Sequence, residues 1–228
     1  MKCSQALVAI AIACTSIGSQ AALTGYTTKG AFDVAMGGLI GVQTVDFDSV
    51  ASGTSFASGT GTGGLTFTYS IPGYTAQVSS TFGTTSGTNY LGLDNPDTAF
   101  YLGDSITIDF GRLVNAAGLY LITGSDAQAG DLQLLTSSGS VFNSATPDTQ
   151  VSDGQAFWLG LVESDPTLGF STVTIHGVPS GGAFLAFSAD DITSAAVSAV
   201  PEPETYALML AGLGLLAWRG RSRTTVGR

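Results

Sequence analysis

The sequence predicts an all-β protein, an antiparallel β-sandwich of the jelly-roll kind, flanked by a signal helix at the N-terminus and a transmembrane-type helix at the C-terminus. Three observations predict it. Period-two alternation of apolar and polar residues recurs from about residue 42 to 192. Clusters of Gly, Pro, Asn and Asp separate the alternating runs, as in 71–73, 94–97 and 152–154. Between the two ends no helical run of core length is visible, so two packed sheets are the economical way to bury the apolar faces.

The strand assignments follow from alternation. In 105–110, Ile106, Ile108 and Phe110 share one face, and Ser105, Thr107 and Asp109 the other. Leu65, Phe67 and Tyr69 form a second such face, and Val173 and Ile175 a third, with His176 turned outward. Further strands are expected at Gln43–Phe47, Asn89–Leu93, Leu113–Ile122, Asp131–Leu135, Gln155–Val162 and Ala183–Phe187. Residues 51–64 are Gly-, Ser- and Thr-rich and read as a flexible loop.

The chain of 228 residues holds 31 glycines, and its length suits one medium domain. Between Ala22 and Val200 it carries 15 acidic residues against only Lys29 and Arg112. A field of that sign repels phosphate backbones, which argues against nucleic acid, and it favours metal cations or plain solubility.

The two ends differ from the middle. Lys2 precedes an unbroken apolar run at 6–13, and Ser19 and Ala21 occupy the small-residue positions of a signal-peptidase site. Residues 1–21 therefore read as a signal peptide, 22–199 as the sandwich domain and 200–228 as a tail. Both cysteines, Cys3 and Cys14, fall within the signal, so the mature domain has no disulfide. In the tail, Pro201 and Pro203 hold the chain extended, Tyr206–Trp218 is uncharged, and Arg219, Arg221 and Arg223 follow. Thirteen apolar residues are short for a bilayer core and span it only with thinning or snorkelling.

Pro201, Glu202 and Pro203, the small residues Ala211 to Gly214 and the arginines Arg219, Arg221 and Arg223 together resemble the PEP-CTERM sorting signal. Gly220 interrupts the paired arginines usual in that family. The resemblance implies an exported protein of a Gram-negative bacterium that makes exopolysaccharide or biofilm matrix. It implies transient anchoring in the inner membrane, cutting near the Pro-Glu-Pro box by an exosortase-type protease, and delivery to the outer surface or matrix. A second, shorter set of motifs is Phe47-Asp48, then 157–161, then Asp190, Asp191 and Ile192. It resembles jelly-roll modules related to carbohydrate-binding domains, in which the first and last strands lie together and their carboxylates share a calcium ion.

Most enzyme templates fail on residue types; a carboxylate pair for glycoside hydrolysis stays open, because it depends on a separation that sequence does not show. His176 is the one histidine, zinc sites need several His or Cys ligands, and no phosphate-binding glycine loop opens a helix. The leading reading is a non-enzymatic surface or matrix protein with a structural or adhesive role. The alternative is a module that binds extracellular polysaccharide, stacking sugars on Trp158 and on some of Tyr69, Tyr74, Tyr90 and Tyr101. Asp46, Asp48, Asp190 and Asp191 are the candidate calcium ligands, because converging carboxylates repel one another unless protonated or bridged by a hard cation.

Overall fold

The computed structural model describes residues 23–124, 127–137, 141–165, 168–178 and 185–196, with 209, 210, 212 and 213 of the tail. The signal peptide, the Pro-Glu-Pro box and the tail arginines lie outside the described residues. Among the described residues no helix is long and apolar enough to cross a membrane.

The chain runs β1 (Leu23–Tyr26), α1 (Lys29–Ala35), β2 (Ile40–Val45), β3 (Ser55–Phe56), β4 (Thr66–Tyr69), β5 (Ala76–Ser79), β6 (Tyr90–Leu93) and β7 (Phe100–Tyr101). It continues through β8 (Ser105–Val114), β9 (Ala116–Thr123), β10 (Leu132–Thr136), β11 (Val141–Asn143), β12 (Thr149–Val151), β13 (Gly154–Glu163), β14 (Phe170–Gly177) and β15 (Ala186–Ala196). One sheet has the order β1-β13-β9-β15-β6-β5-β3, with β12 beside β13 and both β2 and β7 beside β15. The other is β11-β10-β14-β8-β4. The named strand pairs are all antiparallel.

Alternation builds the core between the sheets. Ile106, Ile108, Phe67, Val173 and Ile175 from the smaller sheet meet Leu119, Leu121, Phe157, Leu159 and Phe187 from the larger. Removing that apolar surface from water is the main term holding the sandwich together. The larger sheet is also covered on its outer face. There Phe32 of α1 packs with Tyr120, Ile122, Ala156 and Trp158 in a second cluster. This is why β9 and most of β13 are apolar on both faces. Gly118 and Gly160 pair across these strands and make room for the indole. A Cβ at Gly118 would stand 2.5 Å from the Trp158 ring, and one at Gly160 would stand 2.5 Å from the Phe32 ring.

Several expected boundaries are corrected. The run Leu113–Ile122 is two strands: it breaks at Asn115, whose side chain donates to the Asp165 carbonyl at 3.0 Å, and there the chain passes from one sheet to the other. The first strand is β1, ahead of β2, and β2 ends at Val45 instead of Phe47. The expected strand at Ala183–Phe187 and the Asp190-Asp191-Ile192 motif fall on one strand, β15, which runs to Ala196; residues 183 and 184 lie outside the described residues. The loop 51–64 contains β3, which buries Phe56. Helix α1 was not expected. It has seven residues, capped by the Thr28 side chain accepting from the Ala31 amide, and is too short to display a helical period.

Candidate functional site

Between β5 and β6 the chain makes a loop, residues 80–89, that lies over the outer face of the larger sheet. Three aspartates from distant parts of the sequence hold its backbone. The Gly83 amide donates to Asp153 Oδ2 at 2.9 Å. The Thr85 and Ser86 amides donate to Asp190 Oδ2 at 3.0 and 3.1 Å. The Thr88 and Asn89 amides donate to Asp48 Oδ1 at 2.7 and 3.0 Å. Amide hydrogen bonds to carboxylates are charge-assisted and stronger than neutral ones. Gly87 has φ +37°, and any side chain there would run into the Asp48 carboxylate.

Backbone irregularities aim these acids. Phe47 has φ 61°, a left-handed conformation costly for a bulky residue, and it turns the chain at the end of β2 so that the ring is buried while Asp48 reaches the loop. Asp191 has φ 51° at a register shift in β15. That bulge lets two consecutive aspartates, which would face opposite ways in a regular strand, both meet the Thr85 hydroxyl, at 2.9 Å from Asp190 and 3.0 Å from Asp191. They lie within β15, and β15 does pair with β2, Ile192 opposite Val45.

Asp190 is the most constrained of the group. It is 0% exposed. Burial first, and the neighbouring Asp191 second, push its carboxyl from 3.8 up to about 7, against the opposing pull of its hydrogen bonds. Asp46 accepts from the Asp48 amide at 3.2 Å, closing its own turn. Thus Asp48, Asp190 and Asp191 are brought to one loop rather than to one point. Among the described residues no three His, Cys, Asp or Glu side chains are grouped to hold a metal.

Trp158 is 1% exposed, its ring centroid 5.1 Å from Phe32 and 4.9 Å from Tyr120. Lys29 Nζ lies 5.5 Å over the ring. The sequence suggested a sugar platform; the structure places this indole in the second core, because α1 covers it. His176 accepts or donates one hydrogen bond, at 2.7 Å to Ser105 Oγ, as a cross-strand pair of β8 and β14.

Sequence reasoning missed a cleft of about 290 Å³ next to the clamped loop. Phe82, Tyr90, Asp97, Asp153, Phe187 and Ser188 are among its lining residues. Phe82 is exposed, whereas the Tyr90 ring is buried with its hydroxyl 2.6 Å from Thr98 Oγ1. The Tyr101 hydroxyl donates to Asp97 at 2.8 Å, and burial together with that carboxylate pushes the phenol up to about 12. The loop that forms one wall of the cleft is the loop the aspartates hold.

Comparison with known proteins decides one part. Residues 199–223 match the PEP-CTERM protein-sorting motif. That motif marks an exported protein with a C-terminal membrane-anchoring signal and implies processing by an exosortase. No curated protein matches the chain. Among solved structures it is similar to the C-terminal family 22 carbohydrate-binding module of Clostridium thermocellum Xyn10B, with 12% identity over 72% of this chain and 97% of that one and a TM-score of 0.35. It is also similar to a family 29 module, CBM29_1 of Piromyces equi, with 13% identity over 62% and 98% and a TM-score of 0.27.

Proposed function

We propose that this is a structural or adhesive protein of the outer surface or extracellular matrix of a Gram-negative bacterium. Signal peptidase removes residues 1–21, the tail holds the chain briefly in the inner membrane, and an exosortase-type protease cuts near Pro203. The sorting-motif match at 199–223 is the observation that carries this reading. Replacing Pro201, Glu202 and Pro203 by alanine should leave an uncut, membrane-retained chain. Normal release of that variant on fractionation would refute the assignment.

A second reading is supported by the cleft. A module that binds extracellular polysaccharide would use the exposed Phe82 ring to stack on a sugar face and the Asp97 and Asp153 carboxylates to accept its hydroxyls. On a glycan array Phe82→Ala should weaken any binding by about tenfold or more, the effect of losing roughly 1.4 kcal/mol. Unchanged binding by that variant would take the ligand away from this cleft. In this reading the protein binds and does not catalyse.

Calcium belongs to the same proposal. Asp48, Asp190 and Asp191, with Asp46 at the adjoining turn, would supply some of the six to eight oxygens the ion takes, and backbone carbonyls the remainder. The buried pair Asp190–Asp191 supports it, since two adjacent carboxylates in a dry site favour either a proton or a cation. Among the described residues no three of these carboxylates are grouped to hold an ion, so binding would have to draw them together.

A further inference from the structure

Seven large apolar residues of the domain are exposed among the described residues, and four of them share one end. Leu113 is 65% exposed, Leu168 50%, Ile40 52% and Val42 54%. All four belong to the end of the sandwich where the chain leaves for the tail. Ala196, the last residue of β15, stands opposite Ile40. The Asn115 amide donates to the Ala195 carbonyl at 2.8 Å, and Asn115 Nδ2 reaches the Leu168 carbonyl at 3.4 Å. Arg112, beside Leu113, donates to the Gly41 carbonyl at 2.8 Å and ties that turn to β2. Tyr74, also exposed, lies at the opposite end. There β15 begins beside Tyr101, and Asp94, Asp97, Asp104, Asp131 and Asp153 all lie toward that end. The end near the tail has Glu163 and Asp165.

We infer that the end bearing Ile40, Val42, Leu113 and Leu168 rests on the lipid surface while the tail is uncut. Single exposed aliphatic residues need no explanation, but a group of them at one pole does. The length of chain beyond the domain selects the occupant. Nine residues, 197–205, separate Ala196 from the apolar run that begins at Tyr206, and fully extended they span at most about 30 Å. A domain held on so short a tether meets the bilayer at high effective concentration, so shallow insertion of a few side chains suffices. The same end is nearest the membrane, and the far acidic pole points away from it. Because the domain is strongly acidic, the surface must be rich in zwitterionic headgroups; anionic lipid opposes the contact. The orientation would also present the segment around Pro203 to a protease at the membrane surface. This inference rests on the reading of the tail as a membrane anchor.

The test uses residues 22–228, the chain left after signal-peptide removal and free of cysteine, reconstituted into vesicles of phosphatidylethanolamine and phosphatidylcholine. Single cysteines at Leu113, Leu168 or Tyr74 carry a polarity-sensitive fluorophore. At 113 and 168 the emission should shift to the blue, rise severalfold and become quenchable from within the lipid, while the label at 74 stays in water. Added phosphatidylglycerol should reduce the signal. A chain that floats with the vesicles yet shows the label at 113 as wet as that at 74 overturns this inference and leaves the anchor reading standing. A chain that does not float overturns both. Protection that disappears when labelled protein is diluted with lipid would assign the patch to a second copy of the chain and equally overturn the proposal. A Leu113→Ser, Leu168→Ser double variant, altered only at exposed positions, should float normally and lose protection at a label on Ile40→Cys.

Discussion

In the absence of calcium, the exported domain should lose stability as pH rises from about 4 to about 7, against the usual trend for an acidic protein. The cause is Asp190. Its carboxyl is raised from 3.8 to about 7 in the folded chain. Below pH 4 both folded and unfolded chains hold the proton, and the stabilising contribution is fully present. Between the two values the folded state binds a proton that the unfolded state has released, so stability falls with rising pH and the contribution is gone above about pH 7. At about 1.4 kcal/mol per pH unit, this amounts to something on the order of 4 kcal/mol. Thermal melts in chelator across that range measure it. Asp190→Asn should be less stable at low pH and should flatten the slope. If calcium binds beside Asp190, as proposed, the ion favours the ionised carboxylate, and the slope should flatten or reverse in millimolar calcium. A wild-type slope that rises with pH in chelator would contradict the placement of Asp190. Identical melts with calcium and with chelator at pH 7 would end the calcium proposal while leaving the proton effect intact.

The fold was legible where each residue has one face to satisfy. In β8 and β14 the smaller sheet turns one side to the core and the other outward, and Ile106, Ile108, Val173 and Ile175 carry the pattern without interruption. It was less legible in β9 and β13. There a short helix covers the outer face, so apolar residues follow one another and alternation vanishes. The helix itself was invisible for lack of length, although Thr28 ahead of it is a capping residue with a clear physical role. The carboxylates were legible as residue types near the first predicted and last strands. Their geometry was not, because it depends on left-handed turns at Phe47 and Asp191, which are conformations sequence reasoning assigns to glycine or asparagine first. The partner in the site, the loop 80–89, shows no charged residue at all, and its contribution is backbone amides and hydroxyls that no composition marks. The sorting tail could be read from sequence alone, since its signal is an order of chemical parts and not a tertiary arrangement.

Trp158→Ala should lower the melting temperature by roughly 10 °C, the consequence of losing on the order of 3–5 kcal/mol from a domain of this size. The indole fills a slot made by Gly118 and Gly160 and is packed against Phe32 and Tyr120. Alanine leaves a cavity that these neighbours cannot close, because the glycines on its floor have no side chains to move into it. Trp158→Phe should recover much of the loss, since a six-membered ring retains most of the contact area. It should cost little for hydrogen bonding, as Trp158 Nε1 has no hydrogen-bond partner among the described residues. The chain has two tryptophans, Trp158 and Trp218, so removal of the tail leaves Trp158 as the sole indole and makes a direct optical test available. Its emission should be blue-shifted and resist quenching by acrylamide, both before and after addition of any glycan the domain binds. A readily quenched indole, or a Trp158→Ala variant that melts normally but no longer binds glycan, would return Trp158 to the role of sugar platform and move the binding site from the cleft at Phe82 to the face beneath α1. The opposite result, a strongly destabilised Trp158→Ala beside a normally stable Phe82→Ala that has lost its ligand, separates the residue that holds the sheet's outer layer together from the residue that meets the sugar.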